Sequence, residues 1–169
     1  MDDKHLFDFN AYMAKLARQN RLAANHGFVA CTCTGIDGLQ GILDEWQTAQ
    51  GFICSDDVTT GETVREGGGW FQRRTFTVFI LQRYEYGDER DRQTKLSLCR
   101  EVLRQVQSRL VRDRDRLENE LVYLRVEAMP TTEVGQYFAS GCTGLYFMVT
   151  IDEPVTLVYD GAEWDEQTE

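Results

Sequence analysis

The sequence predicts an α+β fold, in which one mostly antiparallel sheet carries a long helix and one or two further helices packed on one face. Two pairs of β-type segments separated by a long amphipathic stretch indicate this class. The composition agrees, since 42% hydrophobic and 27% charged residues are typical of a globular chain. A length of 169 residues fits one domain, which we expect over 1–160, followed by a flexible acidic tail over 161–169.

The first third of the chain alternates between helix and strand signals. Phe9, Tyr12 and Leu16 follow helical spacing, and Gly27 is a suitable stop. The short β-branched runs are typical of strands. In chain order the predicted elements are a helix over 6–24, a strand over 28–34, a helix over 36–49, a strand over 52–60 and a polar, glycine-rich connection over 61–69.

The run "WFQRRTFTVFILQRY" predicts the central strand. Phe76, Val78 and Ile80 share one side of it, whereas the other side is apolar only near Phe79 and Leu81. We therefore expect 71–84 to be the longest strand of the sheet, paired antiparallel with 52–58. The preceding glycines do not form a phosphate-binding loop, because no helix and no Lys-Ser/Thr follow them.

The second half of the chain contains the longest amphipathic segment. Its apolar residues recur at helical spacing, which predicts a helix over 88–112 with 119 as its furthest end. The buried stripe is predicted to be Leu96, Cys99, Val102, Leu103, Val106 and Leu110. Beyond this helix the predicted elements are a strand over 121–129, a loop or short helical turn over 130–142, a strand over 144–151 and an edge strand over 155–160.

Charge and hydropathy exclude several classes of protein. The amino terminus carries acids where a signal peptide needs bases, and no apolar run is long enough to span a bilayer, so we expect a cytoplasmic protein with no membrane partner. The net charge is −10, and nine acids but no Lys or Arg follow Arg125. Such a segment repels phosphate, so no nucleic-acid partner is expected.

The chain offers few groups for catalysis or metal binding. Five cysteines without an export signal indicate free thiols, and Cys31 and Cys33 have no second ligand pair at zinc spacing. Adjacent acids at 56–57 and at 152–153 are interpreted as turn or edge residues, because neighbours on a strand face opposite ways. We therefore expect no metal, no cofactor and no enzymatic activity.

The arginines of the long helix are the most suggestive polar feature. Arg100, Arg104, Arg109 and Arg112 form a face that we expect to be nearly clear of acids, and a solvated helix surface is the alternative interpretation. The acidic last quarter of a second copy would complement this face, and head-to-tail contacts of this kind form rings. Trp70 and Phe71, beside the glycine-rich connection, are the expected apolar part of the interface.

The order of elements resembles that of the tail terminator and minor tail proteins of long-tailed phages. The similar segments are "SDDVTTGETVREGGGWFQRRTFTVFILQ", "KLSLCREVLRQVQSRL" and "GLYFMVTIDEPV", which together span roughly 50–155. The resemblance implies a non-enzymatic virion assembly protein that forms a ring, caps the tail tube and joins it to the head. Its partners would be further copies of itself or other tail and neck proteins.

Two alternatives stay open at this level. One is a small α+β ligand-binding or enzymatic domain, with a pocket formed by Cys31, Cys33 and the aromatic residues Trp70, Tyr84 and Tyr86. The other is a module that binds another protein through the segment 160–169. A deep cleft with convergent polar groups would favour the first alternative.

Overall fold

The computed structural model of the chain describes residues 6–137 and 141–165 and confirms the α+β class. Within these residues a seven-stranded mixed sheet lies at the centre and four α-helices pack on it. The helices are α1 (Phe9–Gln19), α2 (Arg21–Asn25), α3 (Gly35–Glu45) and α4 (Glu89–Asn119). The strands are β1 (Phe28–Cys33), β2 (Gly51–Asp56), β3 (Thr60–Glu66), β4 (Gly69–Arg83), β5 (Tyr123–Arg125), β6 (Thr131–Tyr137) and β7 (Cys142–Val155).

The sheet is built around the two long strands β4 and β7. The strand order is β1-β2-β4-β7-β5. β2 and β3 both pair with one edge of β4, each along a different half of it. β5 and β6 likewise pair with one edge of β7. β1 and β2 are parallel and are joined through α3, whereas the other pairs are antiparallel. The expectation of a mostly antiparallel sheet is therefore confirmed.

β4 is the predicted central strand, and with 15 residues it is the longest strand in the described chain. Its second half pairs antiparallel with β2, from Ser55 opposite Val78 to Gly51 opposite Gln82, as predicted. The connection predicted over 61–69 is wrong, because most of it is β3. This strand pairs with the first half of β4 through a two-residue turn at 67–68, where both glycines have the positive φ of tight hairpins.

The first predicted helix, 6–24, consists of two helices that meet at Asn20. The backbone of Asn20 is extended, and its side-chain oxygen accepts a 2.8 Å hydrogen bond from the amide of Ala23 at the start of α2. An Asn side chain competes with the helical backbone in this way, which explains the interruption. α4 is continuous over 31 residues and reaches the furthest predicted end.

Three predictions for the second half need correction. The strand predicted over 121–129 is only the three residues of β5, and the loop predicted over 130–142 contains β6, with 138–140 outside the described residues. β7 continues to Val155, so that the separate edge strand predicted over 155–160 does not form. The short strands β5 and β6 both pair with β7, a tertiary contact that no local pattern encodes.

Two apolar clusters lie on opposite faces of the sheet. The larger joins α1 and α4 to alternate residues of β4 and β7, among them Ile80 and Phe147. The smaller lies beneath α3 and joins Leu39 to Phe79 and Leu81. α3 thus departs from the expected arrangement of all helices on one face.

Candidate functional site

The structure separates the four arginines of the predicted interface on α4. Arg100 forms a bidentate ion pair with Glu133 of β6, with nitrogen–oxygen distances of 2.6 and 2.7 Å. Arg104 donates to Glu101, one helical turn earlier, at 2.9 and 2.6 Å. The expectation that this face is nearly clear of acids is wrong here, because these carboxylates already engage both guanidinium groups.

Arg109 lies on the side of α4 that faces α1. Its Nε donates a 2.9 Å hydrogen bond to Asp113, and the hydroxyl of Tyr12 in α1 donates to the same carboxylate oxygen at 3.0 Å. Burial by itself raises the pKa of Asp113, but the bonds from Arg109 and Tyr12 outweigh it and hold this pKa below its usual value. Burial and the neighbouring carboxylate raise the pKa of Tyr12. The three groups therefore form a fixed polar link between the helices.

A shallow cleft of about 110 Å³ runs between α1 and α4. Leu16, Gln19, Asn20, Gln105, Val106 and Arg109 line it. The amide of Asn20 donates to Gln105 at 3.0 Å and joins the two walls. Small-molecule sites typically have volumes of about 300–1,000 Å³. The cleft therefore suits a single side chain of a protein partner, and we call the cleft and its rim the helical seam.

Basic side chains border the helical seam. Lys15 of α1, Arg21 of α2 and Arg112 of α4 are exposed, and they form no ion pair with the residues that the structure describes. Arg112 follows the seam residue Gln105 by almost two full helical turns and so lies on the same side of α4. The net charge of the chain is −10, so these bases differ in sign from the molecule as a whole.

The adjacent acids Asp152 and Glu153 lie inside β7, not at a turn or an edge as predicted. Because neighbours on a strand face opposite sides, each meets one of two adjacent arginines of β4. Asp152 accepts from Arg73 at 2.8 Å on one face, and Glu153 accepts from Arg74 at 2.6 Å on the other. Arginines of the same chain thus neutralise part of the acidic last quarter. It is therefore not the one continuous free surface that was expected from the sequence.

A wider concavity of about 590 Å³ lies at the β5 edge of the sheet. Phe71 and Tyr123 meet there edge to face with their ring centroids 5.8 Å apart, and Arg125 donates to Asp152 at 2.7 Å. Burial alone raises the pKa of Asp152, but the bonds from Arg73 and Arg125 hold it below its usual value. A general base at neutral pH needs a raised pKa, so the concavity does not support acid–base chemistry by Asp152.

The structure does not bring together the residues of the alternative pocket. Trp70 lies at the first end of β4 and Tyr84 just beyond its last, about 45 Å apart at the rise of an extended strand. Cys31 and Cys33 lie on β1, where Cys33 is buried beneath α3. Tyr84 and Tyr86 line a separate concavity of about 360 Å³. The predicted combination of thiols and aromatic rings therefore does not form.

The five cysteines are free thiols, and the environments of several disfavour the thiolate. Hydrogen bonds with Cys31 and Cys33 raise the pKa of Cys54 in the adjacent strand. Burial raises the pKa of Cys99 to about 12 and that of Cys142 to about 11. Because the thiolate is the nucleophile, these surroundings do not support a nucleophilic role for Cys54, Cys99 or Cys142. Among the described residues, no group of three or more Cys, His, Asp or Glu is arranged to hold a metal ion.

Residues 156–165, which follow β7, are exposed throughout, and we call this segment the C-terminal knob. Its large apolar side chains have exposed fractions of 53% at Leu157, 80% at Val158, 63% at Tyr159 and 63% at Trp164. The rings of Tyr159 and Trp164 stack with centroids 6.4 Å apart around a 3-10 turn that Asp160 caps. The rest of the predicted acidic tail, 166–169, lies outside the described residues.

The predicted interface aromatics lie near the base of the knob. Trp70 is partly exposed, pairs with Val155 at the end of β7, and carries the guanidinium of Arg65 at 5.9 Å from its ring. Phe71 faces the concavity at the β5 edge. The sequence predicted Trp70 as an interface residue, but it did not predict the knob, because the run "VTLVYD" also fits an edge strand.

No protein-family model, no curated protein and no solved structure matches the chain. Among the described residues, no helix is both long enough and apolar enough to cross a membrane. The function therefore has to be inferred from the geometry and the charges of this chain.

Proposed function

We propose that the protein is a structural assembly protein of a phage or prophage tail or neck, in which copies associate into a ring that terminates the tail tube. The observation that carries this proposal is the C-terminal knob, with its exposed apolar and aromatic side chains next to Trp70. Single exposed apolar residues are ordinary, but a contiguous group with aromatic rings is typical of protein-binding surfaces.

The order of elements supports the phage part of the proposal. A hairpin with a glycine turn, β3–β4, precedes the long helix α4, and the long strand β7 follows later in the chain. The resemblance to tail terminator and minor tail proteins rests on a hairpin of 52–60 and 71–84 joined by a long glycine-rich connection, most of which is β3 in the structure. The order that agrees with it is therefore a hairpin, the long helix and a late strand.

The distribution of charge supports association between unlike surfaces. The knob contains three acids and no base, whereas the helical seam is bordered by unpaired bases on a different part of the molecule. Contact between two different surfaces is heterologous, and it produces a closed ring when the rotation between copies closes.

A second candidate function is the binding of a small ligand in the concavity at the β5 edge. Its volume of about 590 Å³ falls within the range of small-molecule sites. Phe71 and Tyr123 supply an apolar wall, and Arg125 supplies a charged group. This site replaces the pocket expected near Cys31 and Cys33.

Light scattering during gel filtration, at low and at high salt, tests the proposed assembly. We expect masses that are multiples of 19.5 kDa at low salt, and smaller species at high salt because ions screen contacts between charged surfaces. A protein that stays monomeric at high concentration and binds no tail or neck component would contradict the proposal. Saturable stabilisation by a small molecule, lost in Tyr123→Ala, would favour the second candidate.

A further inference from the structure

The structure points to the two surfaces that meet when copies associate. We propose that the helical seam of one copy is the docking site for the C-terminal knob of a second copy. This inference rests on the proposed self-association and specifies its contact.

Charge is the first argument for this pairing. The knob carries Asp160, Glu163 and Asp165 without any base. The rim of the seam carries Lys15, Arg21 and Arg112, which have no ion-pair partner among the described residues. Complementary potentials of this kind steer association and fix register. The pairing would also give the bases of the rim carboxylate partners.

The shape and polarity of the seam give the second argument. Its floor contains the buried apolar side chains Leu16 and Val106, and its volume of about 110 Å³ suits one side-chain ring. Arg109 lines the cleft and bonds Asp113 through its Nε, and a guanidinium group can also contact a ring face. Trp164 offers the ring that such a cleft accepts.

The knob is ordered in a way that favours binding. The stack of Tyr159 on Trp164 and the capped 3-10 turn hold both rings in place. A preformed segment loses less conformational entropy on docking than a flexible one. Because every residue of the knob is exposed, it does not occupy the seam of its own chain, and a second copy is the occupant that the charges favour.

Helical geometry provides a matched control for the seam. Arg112 and Arg104 are both exposed arginines of α4, but they differ in direction by about 80° around the helix axis. Arg104 is paired with Glu101 and does not line the cleft. Charge reversal at either position changes the net charge by the same amount, and of the two only Arg112 belongs to the basic rim of the seam. Arg104 contacts the seam indirectly, through Glu101, which also accepts from Gln105 at 2.9 Å.

The first experiment measures docking in trans. The receptor is the full-length chain with Tyr159→Ala and Trp164→Ala, which removes its own rings, and the probe is a fluorescent peptide of residues 156–165. We expect saturable binding by anisotropy, weakened about fivefold or more by Arg112→Glu in the receptor and changed less than about twofold by Arg104→Glu. Trp164→Ala in the peptide is expected to weaken binding at least about tenfold, as for a buried aromatic anchor. Circular dichroism confirms folding, and Arg112→Ala serves if Arg112→Glu does not fold.

The outcomes separate this inference from the proposed function. If the wild-type chain assembles, and Arg112→Glu and Trp164→Ala assemble equally well, the docking inference is wrong and the assembly proposal stands. If the peptide binds in a manner that depends on Arg112 and the wild-type chain forms dimers but no larger species, docking stands and the ring does not. A wild-type chain that stays monomeric at high concentration overturns both. Equal weakening by Arg104→Glu, or displacement of the peptide by duplex DNA, would overturn the docking inference.

Discussion

The two halves of the long β4–β7 pair differ in what covers them. In the inner half, beside β1 and β2, helices cover both faces, and Phe79 and Leu81 pack beneath α3 while Ile80 packs beneath α4 and α1. In the outer half, which pairs with β3 and β5, residues on one face pack into the apolar cluster beneath α4. Residues on the other face form polar pairs. On that face the hydroxyls of Thr75 and Thr150 lie 2.9 Å apart.

Arginine and carboxylate pairs continue this pattern toward the hairpin. Arg73 bonds both oxygens of Asp152, at 2.8 and 3.0 Å, and also reaches Glu62 and Glu66 of β3. These contacts hold the strands together without apolar cover, since cross-strand polar pairs stabilise an exposed sheet face. We therefore expect the inner half to contribute more to the free energy of unfolding, whereas Trp70 and the knob lie exposed at the end of the outer half.

Amide hydrogen exchange should show the largest contrast between the halves. Amides from Val78 to Leu81 lie between β2 and β7, so they should exchange only when the whole domain unfolds. Amides of β3, an exposed strand at the edge, should exchange faster by orders of magnitude. Rapid exchange across 76–81 would contradict both the central position of β4 and this comparison.

Truncation of one aromatic residue in each half should lower the free energy of unfolding by different amounts. Phe52 is fully buried in the inner half, and Phe52→Ala should lower the free energy of unfolding by about 3–5 kcal/mol. The partly exposed Phe71 of the outer half is the control, and Phe71→Ala should lower it by about 1–2 kcal/mol. Urea unfolding measures both, and equal losses would show that the outer half is as tightly packed as the inner one.

The buried ion pair of the outer half should make stability depend on pH. Asp152→Asn leaves Arg73 and Arg125 without their shared carboxylate, and at neutral pH it should cost about 1–3 kcal/mol. The pKa of Asp152 is lowered in the folded chain. Its contribution to the free energy of unfolding is therefore complete above the pKa of the unfolded chain, about 3.9, and is lost as pH falls through the pKa of the folded chain. Unfolding of wild type and variant should therefore converge on acidification below about pH 4. The exposed neighbour Glu62 is the control, and Glu62→Gln should change stability by less than about 0.5 kcal/mol.

Two glycine substitutions should give small effects of opposite sign. Gly68 has a φ of +85° in the β3–β4 turn, so Gly68→Ala should destabilise the outer half by about 1–2 kcal/mol. Gly41 lies within α3 and has open space where the methyl group of an alanine would stand, so Gly41→Ala should stabilise by about 0.5–1 kcal/mol. Thermal unfolding of both variants measures the difference, and destabilisation by Gly41→Ala would show that α3 cannot accept the added side chain.

The candidate site was only partly predictable from sequence. The composition pointed to the arginines of α4 and to Trp70, and the structure places Arg109, Arg112 and Trp70 where a partner can reach them. The partner of Arg104 is Glu101, three residues earlier on the same helix, which helical spacing indicates. The partner of Arg100 was not predictable in this way. Glu133 lies 33 residues beyond Arg100 in the chain, and the two side chains meet because β6 folds against β7.

Local patterns by themselves determined the long amphipathic helix α4, the central strand β4 and the α+β class. Their apolar residues repeat with the period of the element, and burial of that face is favourable in any α+β arrangement. Only the tertiary structure decided that β3 and β6 are strands, that α3 covers the second face, and that Asp152 and Glu153 are buried. Asp152 and Glu153 are buried because they pair with Arg73 and Arg74, which lie 79 residues earlier in the chain, and no local pattern indicates such partners. β3 is a polar strand at the edge of the sheet, so it lacks the alternation of apolar residues by which a strand is predicted from sequence.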